Sequence, residues 1–409
     1  MEQKVPYDIV MLALPRWDGP YSSTAYSLAK ELSRYTRVFY IDNPFTWKDY
    51  LTGRRSDQIV RRKSALLGKG NPFIKPIPGN DNLVAVTPKL VLPINWLPPG
   101  AGYDMLAKRN EQTVLEIIRA LISVWRVNRF VFINSFNPLY VRKLPADLRP
   151  LLTIYHCVDD ISNSEYISKH GIRLESNAVK NADVTLVTSM ELKRLKERDT
   201  TKVYYHPNAA DVELFQQAFT GIAIRPPELA HLPFDRKIIL YMGNICQRLD
   251  YELLMKLAEA NPDKTVVMVG PQTNERYRTS GLIRLSNVIF TGRKDLSELP
   301  TYVAASHCCI IPFLCNALTR SIYPLKVNEY LSGGKPVVTT NFSEDIATFA
   351  EVAMVADTHE GFISLVSQAI ETDSLEKAKA RVAYSARNSW GARARQLLDI
   401  IQENLQLKA

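Results

Sequence analysis

The chain has 409 residues, 46% of them hydrophobic and 23% charged, with a formal net charge of +9 at pH 7. That length exceeds one ordinary hydrophobic core and predicts two domains, and the composition excludes a fibrous or disordered chain. Every apolar run is shorter than the roughly 18 residues needed to span a bilayer, which predicts a cytoplasmic protein able to touch a membrane surface.

Residues 7–14 (YDIVMLAL) have no basic segment before them and no small-residue cleavage site after them, and read as a buried first strand rather than a signal peptide. The next loop, LPRWDGPYSST, holds Asp18 and Gly19. A loop in this position lines the ligand crevice of an open α/β sheet, and Gly19 permits close backbone approach; a plain turn is the alternative. A helix follows over 22–33, capped by Ser22, Ser23 or Thr24, and a second strand over 37–42. Between residues 53 and 75 lie Arg54, Arg55, Arg61, Arg62, Lys63, Lys69 and Lys75, against the acid Asp57, with Ile59, Val60, Leu66, Leu67, Phe73 and Ile74 interleaved. Two readings stay open: a solvated excursion, or a basic amphipathic segment drawn to anionic lipid or a lipid-diphosphate acceptor. In the second, each near-surface cation contributes about 1 kcal/mol. No helix-turn-helix, zinc-finger or RNP-type pattern accompanies the charge, so nucleic acid is not an expected partner.

A short strand at 83–87, a Pro-broken stretch to residue 100 and a helix over 104–125 come next. Strands are expected at 129–134, 151–155, 183–188 and 202–206, and their alternation with helices predicts a mainly parallel sheet covered on both faces. Asp159 and Asp160 follow one of these strands in YHCVDDIS, residues 155–162. A general base must lie within hydrogen-bond reach of the hydroxyl it deprotonates; Asp159 is the preferred candidate, with Asp160 beside it and helix capping as the alternative for both. His156 is a weaker base candidate, because an isolated His in an apolar run is more often a core residue.

A polar, Pro-containing linker over 217–235 separates this domain (1–216) from a second βα array (236–385) with strands at 237–242, 265–270, 287–291, 307–312, 336–340 and 352–356. Residues 375–407 read as helical, with a break near 389–391. The five cysteines are scattered without a C-x-x-C pair, which predicts buried reduced thiols and no structural zinc.

The richest segment is SIYPLKVNEYLSGGKPVVTT, residues 321–340. Pro324 suits the first turn of a helix continuing through Leu325, Gly333 or Gly334 ends it, and a strand follows. The exposed amides of that start, around Tyr323, Pro324 and Leu325, form an anion site to which Lys326 adds a full charge. Glu329, one turn on, can accept two ribose hydroxyl hydrogen bonds. Gly243, Asn244 and Arg248 follow the first strand of the second domain, and Arg248 is a candidate second phosphate partner. Arg293 and Lys294, after VIFTG, are placed to flank a nucleotide base or to be solvated loop charges.

Residues 324–338 resemble the donor-site helix of GT-B glycosyltransferases, "P-L-K-x-x-E-Y-L-x-x-G-K-P-V-V". HPNAADVELF (206–215), KIILYMGNICQRLDYELL (237–254) and NVIFTGRKDLSELPTYVAASHCCIIPF (287–313) are similar to other segments of that family and run in family order. YHCVDDIS resembles the "Y-D-C-x-D-D" stretch of a bacterial polysaccharide branch that includes glucuronosyltransferase-like enzymes, with His156 where that branch has Asp. The resemblance implies an α/β chain of two Rossmann-like βαβ domains facing across a cleft, with a C-terminal helix (386–409) packing back on the N-terminal domain. It implies transfer of a sugar from a nucleoside diphosphate-sugar, UDP-sugar favoured, to a saccharide or lipid-linked acceptor in cell-surface polysaccharide synthesis, the domains closing to exclude water. Many retaining members carry a further glutamate where this chain has Ser321, which leaves the stereochemistry open.

No D-x-D signature stands near a strand end. Lys326, Arg248 and the helix dipole can neutralise a leaving diphosphate, so no cofactor and no strict divalent metal are expected. A nicotinamide dehydrogenase would need G-x-G-x-x-G after the first strand, where PRWDGPYSST stands. A nucleotide-sugar epimerase of the same fold and a non-catalytic membrane-bound subunit are the alternatives; the latter would leave Lys326 and Glu329 without a role.

Overall fold

Runs of Val, Ile, Phe and Tyr in the first half pair into one eight-stranded sheet. Its strands are β1 (Asp8–Ala13), β2 (Val38–Ile41), β3 (Phe73–Ile74), β4 (Leu83–Val86), β5 (Phe130–Ser135), β6 (Leu152–Cys157), β7 (Val184–Val187) and β8 (Val203–Tyr205). The order is β3-β4-β2-β1-β5-β6-β7-β8, parallel throughout except for β3 against β4. Alternate residues face opposite sides. Ile9, Met11, Val38, Tyr40, Val131 and Ile133 pack beneath Ala394, Leu397 and Ile401 of the helix Trp390–Lys408. Val10, Leu12, Phe39, Ile41 and Phe132 pack against Val114, Ile118 and Leu121 of the helix Ala101–Val124. Both faces are therefore covered, as continuous apolar strands require.

The computed structural model describes residues 4–19, 23–163, 165–221 and 225–408. It divides into Met1–Pro207 with Arg393–Ala409, and Asn208–Ala392. The expected boundary at 216 falls inside the helix Val212–Thr220, which packs on the helices Leu299–Ala305 and Leu325–Ser332 of the second unit, with Phe215 in that unit's core. The C-terminal helix returns to the first unit as expected: His206 Nε2 meets the Arg393 carbonyl at 2.9 Å and Gln396 donates to the Tyr205 carbonyl at 3.2 Å.

The second unit holds β9 (Lys237–Met242), β10 (Lys264–Val269), β11 (Val288–Gly292), β12 (Cys308–Ile311), β13 (Val337–Thr340) and β14 (Met354–Ala356), in the order β11-β10-β9-β12-β13-β14, all parallel. The chain leaves β9 on one side to build β10 and β11, then crosses to β12 on the other. The order reverses between β9 and β12, which is where open α/β sheets bind ligands.

Two local readings gain detail and one changes. Ser23 is the helix cap, accepting from the Tyr26 amide; Ser22 and residues 222–224 of the expected linker lie outside the described residues. Within the basic segment (53–75) the helix Asp57–Leu66 forms, and the helix Trp47–Thr52 precedes it. Four cysteines are buried, but Cys315 is exposed. Among the described residues no helix is long and apolar enough to cross a membrane.

Candidate functional site

The end of β9 is locked to the helix Leu325–Ser332 by one side chain. The buried Tyr330 hydroxyl accepts from the Met242 amide at 2.8 Å and lies 3.3 Å from the Met242 carbonyl. Gly243 follows with φ +149°, its amide bonded to the Val269 carbonyl at 2.8 Å. A Cβ at Gly243 would stand 2.0 Å from Lys326 Cε, and one at Gly270, which ends β10, would stand 1.9 Å from the Gly243 carbonyl oxygen. The Lys326 stem thus lies over bare backbone, which only glycine provides at this φ.

Pro324 is the N-cap of this helix rather than its first residue, because its ψ of 80° is not helical; Leu325 begins the helix. The Leu325 amide bonds the Tyr323 carbonyl and the Val327 amide bonds the Pro324 carbonyl, each at 3.0 Å. Among the described residues, Lys326 is left as the first-turn residue whose amide has no acceptor. Its ammonium is held below the usual lysine range by burial and by Arg248, against the pull of Glu329. Burial pushes the Glu329 carboxyl up to about 7, with Lys326 opposing and Asp211 adding to the shift. Among the described residues the side chains of Lys326, Glu329 and Arg248 have no hydrogen-bond or ion-pair partner. All three are half-buried, and charges drawn partly out of water without a hydrogen-bonded partner are costly. A diphosphate on Lys326 and Arg248, with hydroxyl donors to Glu329, would satisfy both signs at once.

Other predicted donor residues take varied positions. Arg248 is brought beside the end of β12, its carbonyl accepting from the Leu314 amide at 2.8 Å. Asn244 is exposed; its side-chain oxygen accepts from Thr273 Oγ1 at 2.7 Å and its carbonyl from the Tyr241 hydroxyl at 3.0 Å. Arg293 follows Gly292 at the end of β11. Lys294 is taken by Glu228, which also accepts from the Tyr302 hydroxyl at 2.8 Å, so it is not a loose loop charge. The lysine bond, then the tyrosine bond, hold the Glu228 carboxyl down at about 2. Tyr323 belongs to the core: its ring packs on Phe349 at 5.8 Å and its hydroxyl accepts from Asn328 at 3.1 Å. Ser321 is buried, with its hydroxyl unpartnered among the described residues. Gly270, Thr273 and Tyr330 frame the site and went unread; a glycine closing a predicted strand was the available signal for Gly270.

In the first unit, Asp18 is not a free crevice residue. It accepts from the buried Arg62 at 2.6 and 2.8 Å, and Arg62 also reaches Asp42 at 3.1 Å. The Gly19 amide closes a turn on the Arg16 carbonyl at 3.0 Å. Asp160 accepts from the Ser162 amide at 3.0 Å, Ser162 Oγ at 2.7 Å and Asn163 at 3.2 Å, which is the capping alternative. Asp159 is half-buried and accepts from the Asp160 amide at 2.8 Å. Beneath this loop Glu175 accepts from the Tyr155 hydroxyl at 2.9 Å and pairs with Lys196 at 2.5 Å. His156 is a core residue: it meets Ser135 Oγ at 3.3 Å, and burial, then His206, push its pKa down to about 3. β5 lies between β1 and β6, so Asp18 and Asp159 stand on separate strand ends.

Comparisons with known proteins fall on the same segments. The model of the family described as glycosyl transferases group 1 matches residues 236–372, from the start of β9 past β14. A Bacillus subtilis (strain 168) protein named "Putative teichuronic acid biosynthesis glycosyltransferase TuaH" is 32% identical over 184 residues, 44% of this chain and 45% of that protein. The match therefore spans less than half the length of that relative. Among solved structures, sucrose-phosphate synthase (tll1590) from Thermosynechococcus elongatus superposes with a TM-score of 0.68 at 16% identity, over 97% of this chain and 98% of its own. Anabaena Alr3699/HepE in complex with UDP and glucose gives 0.62 at 13% identity, over 96% and 99%.

Proposed function

With the GT-B fold in place and residues 236–372 matching glycosyl transferases group 1, we propose that the protein moves a sugar from a nucleoside diphosphate-sugar to an acceptor hydroxyl in cell-surface polysaccharide synthesis. The observation that carries this reading is the unpartnered set of Lys326, Glu329 and Arg248 around Gly243. The diphosphate binds at the Lys326 amide and ammonium with Arg248, and Glu329 takes the ribose hydroxyls. UDP is the favoured nucleotide, in keeping with the UDP-bound neighbour of the same fold. As the glycosidic bond to the donor breaks, negative charge grows on the leaving diphosphate, and Lys326 and Arg248 stabilise it there.

The acceptor is a saccharide, or a saccharide carried on lipid at the inner membrane face, as teichuronic acid synthesis in the named relative suggests. Asp159 is the proposed base for its hydroxyl. Calorimetric titration with UDP, GDP and dTDP tests the donor site: UDP should bind, Lys326→Ala should cut turnover, and Glu329→Ala should chiefly raise the donor KM. Asp159→Asn should abolish turnover and leave UDP affinity unchanged. Absence of binding by all three nucleotides at millimolar concentration would remove the reading.

A further inference from the structure

The excursion between β2 and the helix Ala101–Val124, with the first turns of that helix, exposes a set of large apolar side chains. Trp47 is 44% exposed, Leu51 53%, Val60 59%, Trp96 73% and Met105 67%. Contiguous exposed apolar surface marks an interaction site, whereas single exposed apolar residues do not, so what counts is how the segments that carry these side chains are joined.

They are structurally connected. The Trp47 amide bonds the Val91 carbonyl and the Val91 amide bonds the Phe45 carbonyl, each at 3.0 Å, bringing residues 45–47 beside the 91–97 stretch. One cavity is lined by Thr46, Leu92, Ile94, Asn95, Tyr103 and Leu139, drawn from both segments, and Trp47 and Trp96 follow Thr46 and Asn95 in the chain. The helix Asp57–Leu66 joins through Ile59 and Leu66, which pack on Phe45 and Leu90. Arg62, on that same inward face, bonds Asp18 and Asp42, leaving Val60 and Lys63 outward.

Charge selects the partner. Lys48, Arg54, Arg55, Arg61, Lys63, Lys69, Lys75 and Lys89 are exposed here, against the exposed acids Asp49, Asp57 and Asp81; Asp49 is engaged with Thr46 in a capping box, Asp81 pairs with Lys75 at 2.5 Å, Lys89 lies 3.6 Å from Glu116 and Arg61 lies 3.6 Å from Asp18. Cations interleaved with indole and aliphatic groups match a bilayer interface, where anionic headgroups meet acyl chains and tryptophan is favoured.

We propose that this excursion docks the protein on an anionic lipid bilayer, with Trp47 and Trp96 entering the interface and Arg54, Arg55 and Lys63 meeting headgroup phosphates. The inference deepens the reading of a lipid-carried acceptor. Co-sedimentation with mixed phosphatidylcholine–phosphatidylglycerol vesicles, beside pure phosphatidylcholine vesicles, tests it directly. The wild type should partition to the anionic vesicles roughly tenfold or more better than to the neutral ones, and lose that preference in about 1 M salt. Arg54→Glu/Arg55→Glu should abolish the preference, while Trp47→Ala/Trp96→Ala should weaken partition and remove the tryptophan blue shift on vesicle addition. A wild-type circular-dichroism spectrum and an unchanged urea transition show that each variant is folded. Wild type that ignores vesicles, variants that partition like wild type, or a self-associated dimer that buries the patch would each overturn the proposal. UDP binding without vesicle binding would sink this surface and leave the transfer reading standing, and vesicle binding without UDP binding would do the reverse.

Discussion

Adding one methyl group at Gly243 would set the lysine against the backbone. In Gly243→Ala the new Cβ would fall 2.0 Å from Lys326 Cε, 2.9 Å from its Nζ and 3.1 Å from the Tyr241 hydroxyl, at a φ of +149°. An L-residue at such a φ costs on the order of 1–3 kcal/mol, and a urea transition should show that loss. The ligand effect is separate. The lysine is the flexible partner and must swing away, and a charge-assisted bond to phosphate contributes about 1.5–3 kcal/mol, so UDP affinity should fall roughly tenfold to a hundredfold. Calorimetry on wild type, Gly243→Ala, Lys326→Ala and the double variant completes a cycle. If both changes act on one contact, the double variant should bind UDP about as weakly as Lys326→Ala alone, a coupling of more than about 0.5 kcal/mol. Additive losses, or unchanged affinity in Gly243→Ala, would refute the reasoning.

Glu329 can accept two ribose hydroxyls on its two oxygens, and with full charge, only when ionised; protonation turns one oxygen into a donor, and its carboxyl is pushed up to about 7. Affinity for UDP-glucose, whose phosphates carry a constant charge in this range, should therefore strengthen as pH rises through about 7 and become flat in Glu329→Gln. The raised pKa also means that the unliganded fold loses stability over the same rise, a slope that Glu329→Gln removes from urea titrations. Arg62→Met removes the buried cation shared by Asp18 and Asp42, leaving Asp18 to the exposed Arg61 at 3.6 Å and the buried Asp42 without its ion pair, which should cost about 3–5 kcal/mol by chemical denaturation; adding Asp42→Asn should recover part of it. With Lys326 and Arg248 stabilising the leaving group, we expect turnover to persist in EDTA, and complete loss restored by magnesium would count against that role.

The parallel strands were legible because each is a short apolar run bounded by polar or Gly/Pro punctuation, and β9 was read with its observed bounds. The two-residue β3 was not, because its pairing comes from the neighbouring β4 and leaves no periodicity of its own. The helix Leu325–Ser332 was visible in its proline, its glycines and the spacing of Lys326 and Glu329; the shift of Pro324 to the cap reflects a ψ that no residue pattern specifies. Arg62 was hidden among identical neighbours. Its partners Asp18 and Asp42 lie 44 and 20 positions back in the chain, and only the fold singles it out. Tyr323 was drawn into the donor list by its place beside Pro324, although the helix turns its ring toward Phe349.

Gly243 and Gly270 touch, yet they face different obstacles. At 243 the opposing atoms belong to a side chain that can rotate away; at 270 they are the carbonyl of a fixed peptide. In a mutational library scored once for abundance and once for sugar transfer, substitutions at 270 should vanish from both, whereas those at 243 should persist better in the first than in the second. Two abutting glycines would then report separately on what assembles this protein and what it was assembled to do.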